Sequence, residues 1–198
     1  MATFTLHTTE TAPVASQAQL QKVRQIFGVV PNLQAHLAES PEALSGYLVL
    51  LELFSRSSLS AVEQQVVSMA TNFQNNCSYS MAGHSARAIQ TGMDASLVTA
   101  LREGVPLADR KLEALRCFTN QVVRERGRVH ETEVAAFRDA GYTRQNVLDV
   151  LLGAAAKILG NYTNHVARTQ YDEFMHGYEW SKPHHFDSGT TPPVDSAM

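Results

Sequence analysis

"LSAVEQQVVSMATNFQNNCSYSMAGHSARA", residues 59–88, holds the start of one helix, its end, and the start of the next. Ser60 and Glu63 have the capping-box spacing, in which a hydroxyl and a carboxylate three residues on satisfy orphan N–H groups at a helix start. Asn75 and Asn76 then break and recap the chain before a second helix, expected from Cys77 to Gly92. On that helix Cys77, Ser80 and His84 lie three and four residues apart, the spacings that stack side chains on one face. Cys77 at the helix start would meet unpaired N–H groups and the positive end of the dipole, which stabilise a thiolate. His84, two turns on, could pass a proton to or from a small molecule held there. A purely structural stripe would place Leu or Val at all three positions. The bland alternative is a buried Cys acting as a small hydrophobe beside a packed His.

The same punctuation extends in both directions. Ser16 is a candidate cap for a helix carrying Leu20, Val23, Ile26 and Phe27 on one side and stopped by Gly28. Ser40 with Pro41 opens another, since Pro at the first helical position loses no bond. Asp94 can cap a short helix ending at Gly104. Leu112, Leu115, Phe118, Val122 and Val123 follow helical spacing up to Gly127, and "ETEVAAFRDAG" stops at Gly141. Thr143 caps a long segment expected to reach about Met175, with bends at Gly153 or Gly160. No run alternates apolar and polar residues with β-branched enrichment, so the fold class is all-α. The organisation expected is an N-terminal extension (1–15), a helical domain (16–176) and a Pro-, Ser- and Thr-rich tail (177–198) lying loosely on the surface. A faint echo, "GHSAR" at 83–87 and "NHVAR" at 164–168, would fit two weakly matched halves.

Composition narrows the function. The 198 residues suit one domain, with 44% hydrophobic and 18% charged residues. A net charge of -3 gives no nucleic-acid or anionic-membrane surface, and the basic run 124–128 reads as a solvated helix end. The N-terminus lacks a basic residue and an apolar signal core. The most apolar stretch, 147–160, contains Asp149 and Lys157 and is too short to span a bilayer. The expected location is therefore cytoplasmic. Two cysteines, 77 and 117, make no disulfide framework, and Cys117 in "LEALRCFTN" reads as a buried structural thiol. His165, with Asn161 and Asn164, would either line the same pocket or an oligomer contact or satisfy buried backbone groups, the packing role being the favoured one, and the pair His184 and His185 reads as part of a solvated tail. No phosphate loop, metal spacing or cofactor signature is present, so no cofactor is expected.

Residues 59–88 resemble the signature segment of the AhpD-like (alkylhydroperoxidase D-like), carboxymuconolactone decarboxylase family. In that family an "LSxxExE" helix start precedes a "CxxCxxxH" helix. "FGVVPNLQAHLAESPEAL" looks like the family's upstream helices, and "NYTNHVARTQYDEF" resembles the "NYxNHxxxTxxDxxF" segment of its peroxidase-related branch. The likeness covers about residues 20 to 175. It implies an orthogonally packed helical bundle that forms homo-oligomers. For two-thiol members it implies peroxide reduction through a disulfide cycle, with the second thiol attacking, the first resolving, and a Glu-assisted His relaying protons.

Two positions depart from that pattern. Cys77 matches the first thiol and His84 the relay His, but Ser80 stands in the second thiol's place and Gln65 in the relay carboxylate's. A serine hydroxyl, un-ionised near neutrality, does not replace a thiolate at a peroxide oxygen. Glutamine can hydrogen-bond an imidazole but cannot neutralise an imidazolium. The two-thiol cycle is therefore closed to this chain. Three readings follow, all centred on Cys77, Ser80, His84 and Gln65. In the first, Cys77 alone reduces a peroxide and an external thiol clears its sulfenic acid. In the second, His84 performs decarboxylase-like proton transfer on a small carbonyl or lactone substrate. The third is a non-catalytic oligomeric relative.

Overall fold

The computed structural model describes residues 4–183. Among them the secondary structure is helical, with no strand. The helices are α1 (Val14–Phe27), α2 (Asn32–Leu37), α3 (Pro41–Ser55), α4 (Ala61–Gln74), α5 (Ser78–Gln90), α6 (Ala95–Glu103), α7 (Arg110–Arg124), α8 (Glu131–Asp139) and α9 (Arg144–Ala167). A short 3-10 turn, Glu173–Met175, follows.

Most boundaries sit where local chemistry places them. Ser60 and Glu63 form the reciprocal capping box of α4, Ser40 accepts from Ala43 N–H at the start of α3, and Thr143 with Asn146 boxes the start of α9. Asp94 and Asp109 cap α6 and α7. Gly28 and Gly104 end their helices at φ 78° and 71°, a left-handed conformation that glycine adopts without strain. Ser16 is no cap: α1 starts two residues earlier, and the buried Ser16 hydroxyl donates to the Ala38 carbonyl at 2.7 Å, tying α1 to the end of α2. Ile26 and Phe27 stay largely exposed, since the buried side of α1 is made by Ser16, Leu20 and Val23.

α4 is the central element, packed against α5, α6, α7 and α9. One apolar cluster (Val66, Met69, Leu115, Phe118, Phe137, Val150) fills that half. A second cluster (Leu20, Leu33, Leu44, Tyr47, Cys77, Tyr79) joins α1, α2 and α3 to the start of α5. α9 bridges the halves, touching α2, α3, α4, α5 and α7. It runs unbroken through both glycines but ends at Ala167, short of Met175, where Arg168 turns left-handed at φ 53°.

The described part of the tail, 177–183, does not lie loosely. Trp180 is buried in the first cluster against Phe73, and its indole N–H donates to the Arg102 carbonyl at 2.8 Å. Arg102 in turn donates to the carbonyls of Tyr178 and Glu179. An indole carries enough apolar area to bury once its single donor has a partner. The pair at 184 and 185 lies outside the described residues. No helix among those described is long and apolar enough to cross a membrane.

Gly153 sets how closely α9 approaches its neighbours. A Cβ there would fall 2.5 Å from the Phe54 ring and 2.9 Å from Val67 Cγ1, both buried. Exchanging Gly for Ala inside an unencumbered helix stabilises by about 1 kcal/mol. Here Gly153→Ala is expected to destabilise by about 1–3 kcal/mol, because the core must shift. Urea melts measure it, and a rise in stability would contradict the close approach.

Candidate active site

A tight turn creates the site. α4 ends at Gln74, Asn76 takes the left-handed conformation (φ 51°) that Asn tolerates, and α5 starts at Ser78. The two helices fold back on each other, bringing Gln65 of α4 opposite His84 of α5. Gln65 Oε1 lies 2.6 Å from His84 Nδ1, and its Nε2 donates to the His84 carbonyl at 3.5 Å. An amide oxygen can only accept, so Nδ1 carries the proton and Nε2 presents a lone pair.

That lone pair meets a residue from a distant helix. Lys157 of α9 places Nζ 2.9 Å from His84 Nε2. The lysine is 2% exposed and makes no ion pair among the described residues. Burial pushes its ammonium down from 10.5 to about 8, with the adjacent Cys77 opposing the change. Burial, then the charges of Lys157 and Arg87, hold His84 well below the usual imidazole range. The ring is thus the neutral acceptor and Lys157 the proton carrier. A lysine inside "GAAAKILG" was the available signal. It had served only to reject a membrane span.

Ser80 and Cys77 belong to a neighbouring arrangement. Asn164 Nδ2 donates to Ser80 Oγ at 3.1 Å and reaches Cys77 Sγ at 3.6 Å. Asn164 thus contacts two candidate site residues, the pocket-side alternative to the favoured packing role. His165 is exposed and contacts the Asn76 carbonyl, so the echoed motif does not produce a second site. No hydrogen bond joins Ser80 to His84. The expected four-residue cluster resolves into two groups, Gln65 and His84 with Lys157, and Ser80 and Cys77 with Asn164, each completed by a residue of α9. Cys77 caps α5 without a side-chain bond.

A cavity of about 610 Å³ opens onto part of this arrangement. Ser80, His84 and Lys157 line it, while Cys77, 1% exposed, is not in its wall. Its apolar surface comes from Phe27, Leu33, Tyr47, Leu51, Phe174 and Met175. Burial raises the Tyr47 and Tyr79 phenols, keeping both protonated. Tyr79 donates to Asp172 at 2.5 Å, and Asp172 accepts from Asn32 N–H at 3.0 Å, fixing the chain after α9 against the start of α2. Cys117 is exposed rather than buried, donates to Glu113 at 3.2 Å, and has its thiol pushed up by partial burial and that carboxylate. The apolar side of α7 turns towards α4 and leaves position 117 outside.

Compared by sequence, the chain matches no protein-family model and no curated protein. Compared by structure, it is similar to a peroxidase-related protein from Silicibacter sp. TM1040 (TM-score 0.75, 19% identity, 88% of this chain and 93% of that one). It is likewise similar to a peroxidase-related protein with an alkylhydroperoxidase AhpD core from Ralstonia eutropha JMP134 (TM-score 0.77, 18% identity, 87% and 93%). A variant of the debrominase Bmp8, solved in complex with 2,3,4-tribromopyrrole, also matches (TM-score 0.74, 12% identity, 90% and 95%). At these identities the likeness establishes the fold, and the chain has the AhpD-like helical fold.

The buried lysine makes stability depend on pH in a defined direction. Between about 8 and the ordinary 10.5 the unfolded chain binds more protons at this residue, so its contribution improves as pH rises through that window. His84 acts in the same sense below its ordinary 6.5, where the unfolded imidazole protonates first. Lys157→Met is expected to be more stable than wild type near neutrality, by roughly 2 kcal/mol once the lost His84 contact is offset. The advantage should shrink towards the upper end of the lysine window, as paired urea melts would record. Equal stability of the two proteins throughout would contradict the buried charge.

Proposed function

We propose that the chain is an enzyme of proton transfer, acting on a small, largely apolar carbonyl or lactone substrate held in the 610 Å³ cavity. The observation that carries this reading is the placement of Lys157 Nζ, 2.9 Å from the unprotonated His84 nitrogen, in the cavity wall, while the Cys77 sulfur lies outside that wall. Lys157, with an ammonium near 8, can give a proton to a substrate oxygen or carbon and regain it near neutrality. His84 holds that amine in place, and Gln65 holds His84 in the accepting tautomer. The Ser80 hydroxyl, supplied with a hydrogen bond by Asn164, is a further polar contact for the substrate. The bound tribromopyrrole of the Bmp8 variant supports a small-molecule occupant for this fold.

A second reading, one-thiol peroxide reduction with an external thiol reductant, draws support from the Asn164 amide directed at Cys77 Sγ and from the peroxidase-related names of two similar structures. The two readings separate by mutation. Deuterium uptake at the carbon next to the carbonyl, followed by NMR over a set of small ketones and lactones, should fall about 10²–10⁴-fold in His84→Ala and Lys157→Met. Cys77→Ser should retain it. Loss of activity in Cys77→Ser, with thiol-dependent hydroperoxide consumption by the wild type, would instead establish the thiol reading.

Self-association forms part of the same proposal, since the family resemblance implies a homo-oligomer. Val49 and Leu53 on α3, and Leu148 and Leu151 on α9, are exposed apolar side chains that an interface with a second copy would cover. Light scattering should give a multiple of the 21.8 kDa chain mass. Leu53→Glu combined with Leu148→Glu should return it to the monomer value, and an unchanged assembly would place the interface elsewhere.

A further inference from the structure

Lys157 is a cation nearly sealed from solvent, and among the described residues no carboxylate pairs with it. A buried ammonium without a counter-ion is destabilising, so a purely structural role would be better served by an apolar residue. The titratable groups around it are His84 and Arg87 of α5, Cys77 at the start of that helix, and Tyr47 of α3. Among the described residues none of the cavity lining is Asp or Glu. Arg87, an exposed side chain at the same cavity, lies over the Phe27 ring at 5.9 Å and pairs with no carboxylate among the described residues. The cavity therefore combines an apolar surface, a buried primary amine, an adjacent base and an unpaired guanidinium.

We propose that Lys157 is an imine-forming nucleophile for a small oxo acid, whose carboxylate pairs with Arg87 while its carbonyl carbon meets Lys157 Nζ. This deepens the proton-transfer reading and rests on the same cavity. The neutral amine attacks the carbonyl carbon, forming a C–N bond as the C=O π pair moves to oxygen. The alkoxide takes one proton from the new ammonium and a second from His84 Nε2, which holds the proton that Lys157 gave up to become the neutral amine; the oxygen leaves as water with its electron pair as the nitrogen lone pair closes the C=N bond. One water is released and no oxidant or reductant is needed. The resulting protonated imine draws electrons from the neighbouring carbon, so a proton there becomes acidic enough to move. Amines activated by an apolar pocket are the recognised route to such intermediates. The depressed lysine pKa agrees with this assignment and is not what distinguishes it.

The test is reductive trapping of the full chain with pyruvate and sodium cyanoborohydride, read by peptide mass mapping. The chain has four lysines, at 22, 111, 157 and 182. Near neutrality Lys157 should be labelled on the order of tenfold or more faster than Lys22 or Lys111, because its amine lines an apolar cavity beside a base. His84→Gln should slow that labelling, and Arg87→Gln should raise the pyruvate concentration needed while leaving trapping by uncharged acetone unchanged. Labelling confined to the other lysines would overturn the proposal, and so would an Arg87→Gln variant trapped by pyruvate as readily as wild type. The wild-type map is decisive even if a variant does not fold. If Lys157 forms no adduct while Lys157-dependent deuterium uptake persists, imine formation fails and simple proton transfer stands. If the adduct forms without any deuterium uptake, the amine chemistry stands and the proton-transfer reading falls.

Discussion

The close approach of α9 to α3, α4 and α5 is the constraint on which the site depends. Gly153 lets α9 lie against Phe54 and Val67, and Gly160, whose Cβ would stand 3.1 Å from Tyr47, permits the same one helical segment later. Between and beyond these glycines the helix carries Lys157 and Asn164 to His84, Ser80 and Cys77. A bulkier residue at either glycine would move α9 outward and separate the amine from the imidazole. The positions that decide the chemistry are thus held by packing contacts more than by the hydrogen bonds themselves.

The electrostatics of the site follow from one exchange of partners. The family resemblance implies a carboxylate beside the relay histidine, which would stabilise an imidazolium. Here an amide occupies that place at 2.6 Å and an ammonium occupies the other ring nitrogen at 2.9 Å. Both changes favour the neutral ring, and together they shift the positive charge from histidine to lysine. Gln65 and Lys157 are therefore consistent with each other: a glutamate at 65 would support a charged ring that the neighbouring lysine opposes. The surroundings suit a substrate bringing negative charge or developing it during reaction.

Depth along α5 separates the two residues that share a motif. Ser80 reaches the cavity, while Cys77, one turn earlier, is enclosed by the second apolar cluster. The motif position that lines the cavity thus holds an alcohol, and the sulfur lies behind it. Asn164 connects the two, giving one of the buried asparagines of α9 its partners.

Local chemistry in the sequence determined the helical class, the caps at Ser40, Ser60, Asp94 and Thr143, and the glycine stops, because these depend on residues within one turn of each other. It also carried the pairing of Gln65 with His84, through the resemblance of the segment between them. Ser16, Trp180 and Cys117 were misjudged because burial depends on what packs from elsewhere in the chain: the Ala38 carbonyl, the Arg102 carbonyl and the side of α7 turned to α4. Lys157 was visible as a charge in an apolar run, yet nothing local could say which residue it would meet. Its partner lies 73 residues away, and only the packing of α9 across α5 decides that the charge is buried and that the imidazole receives it.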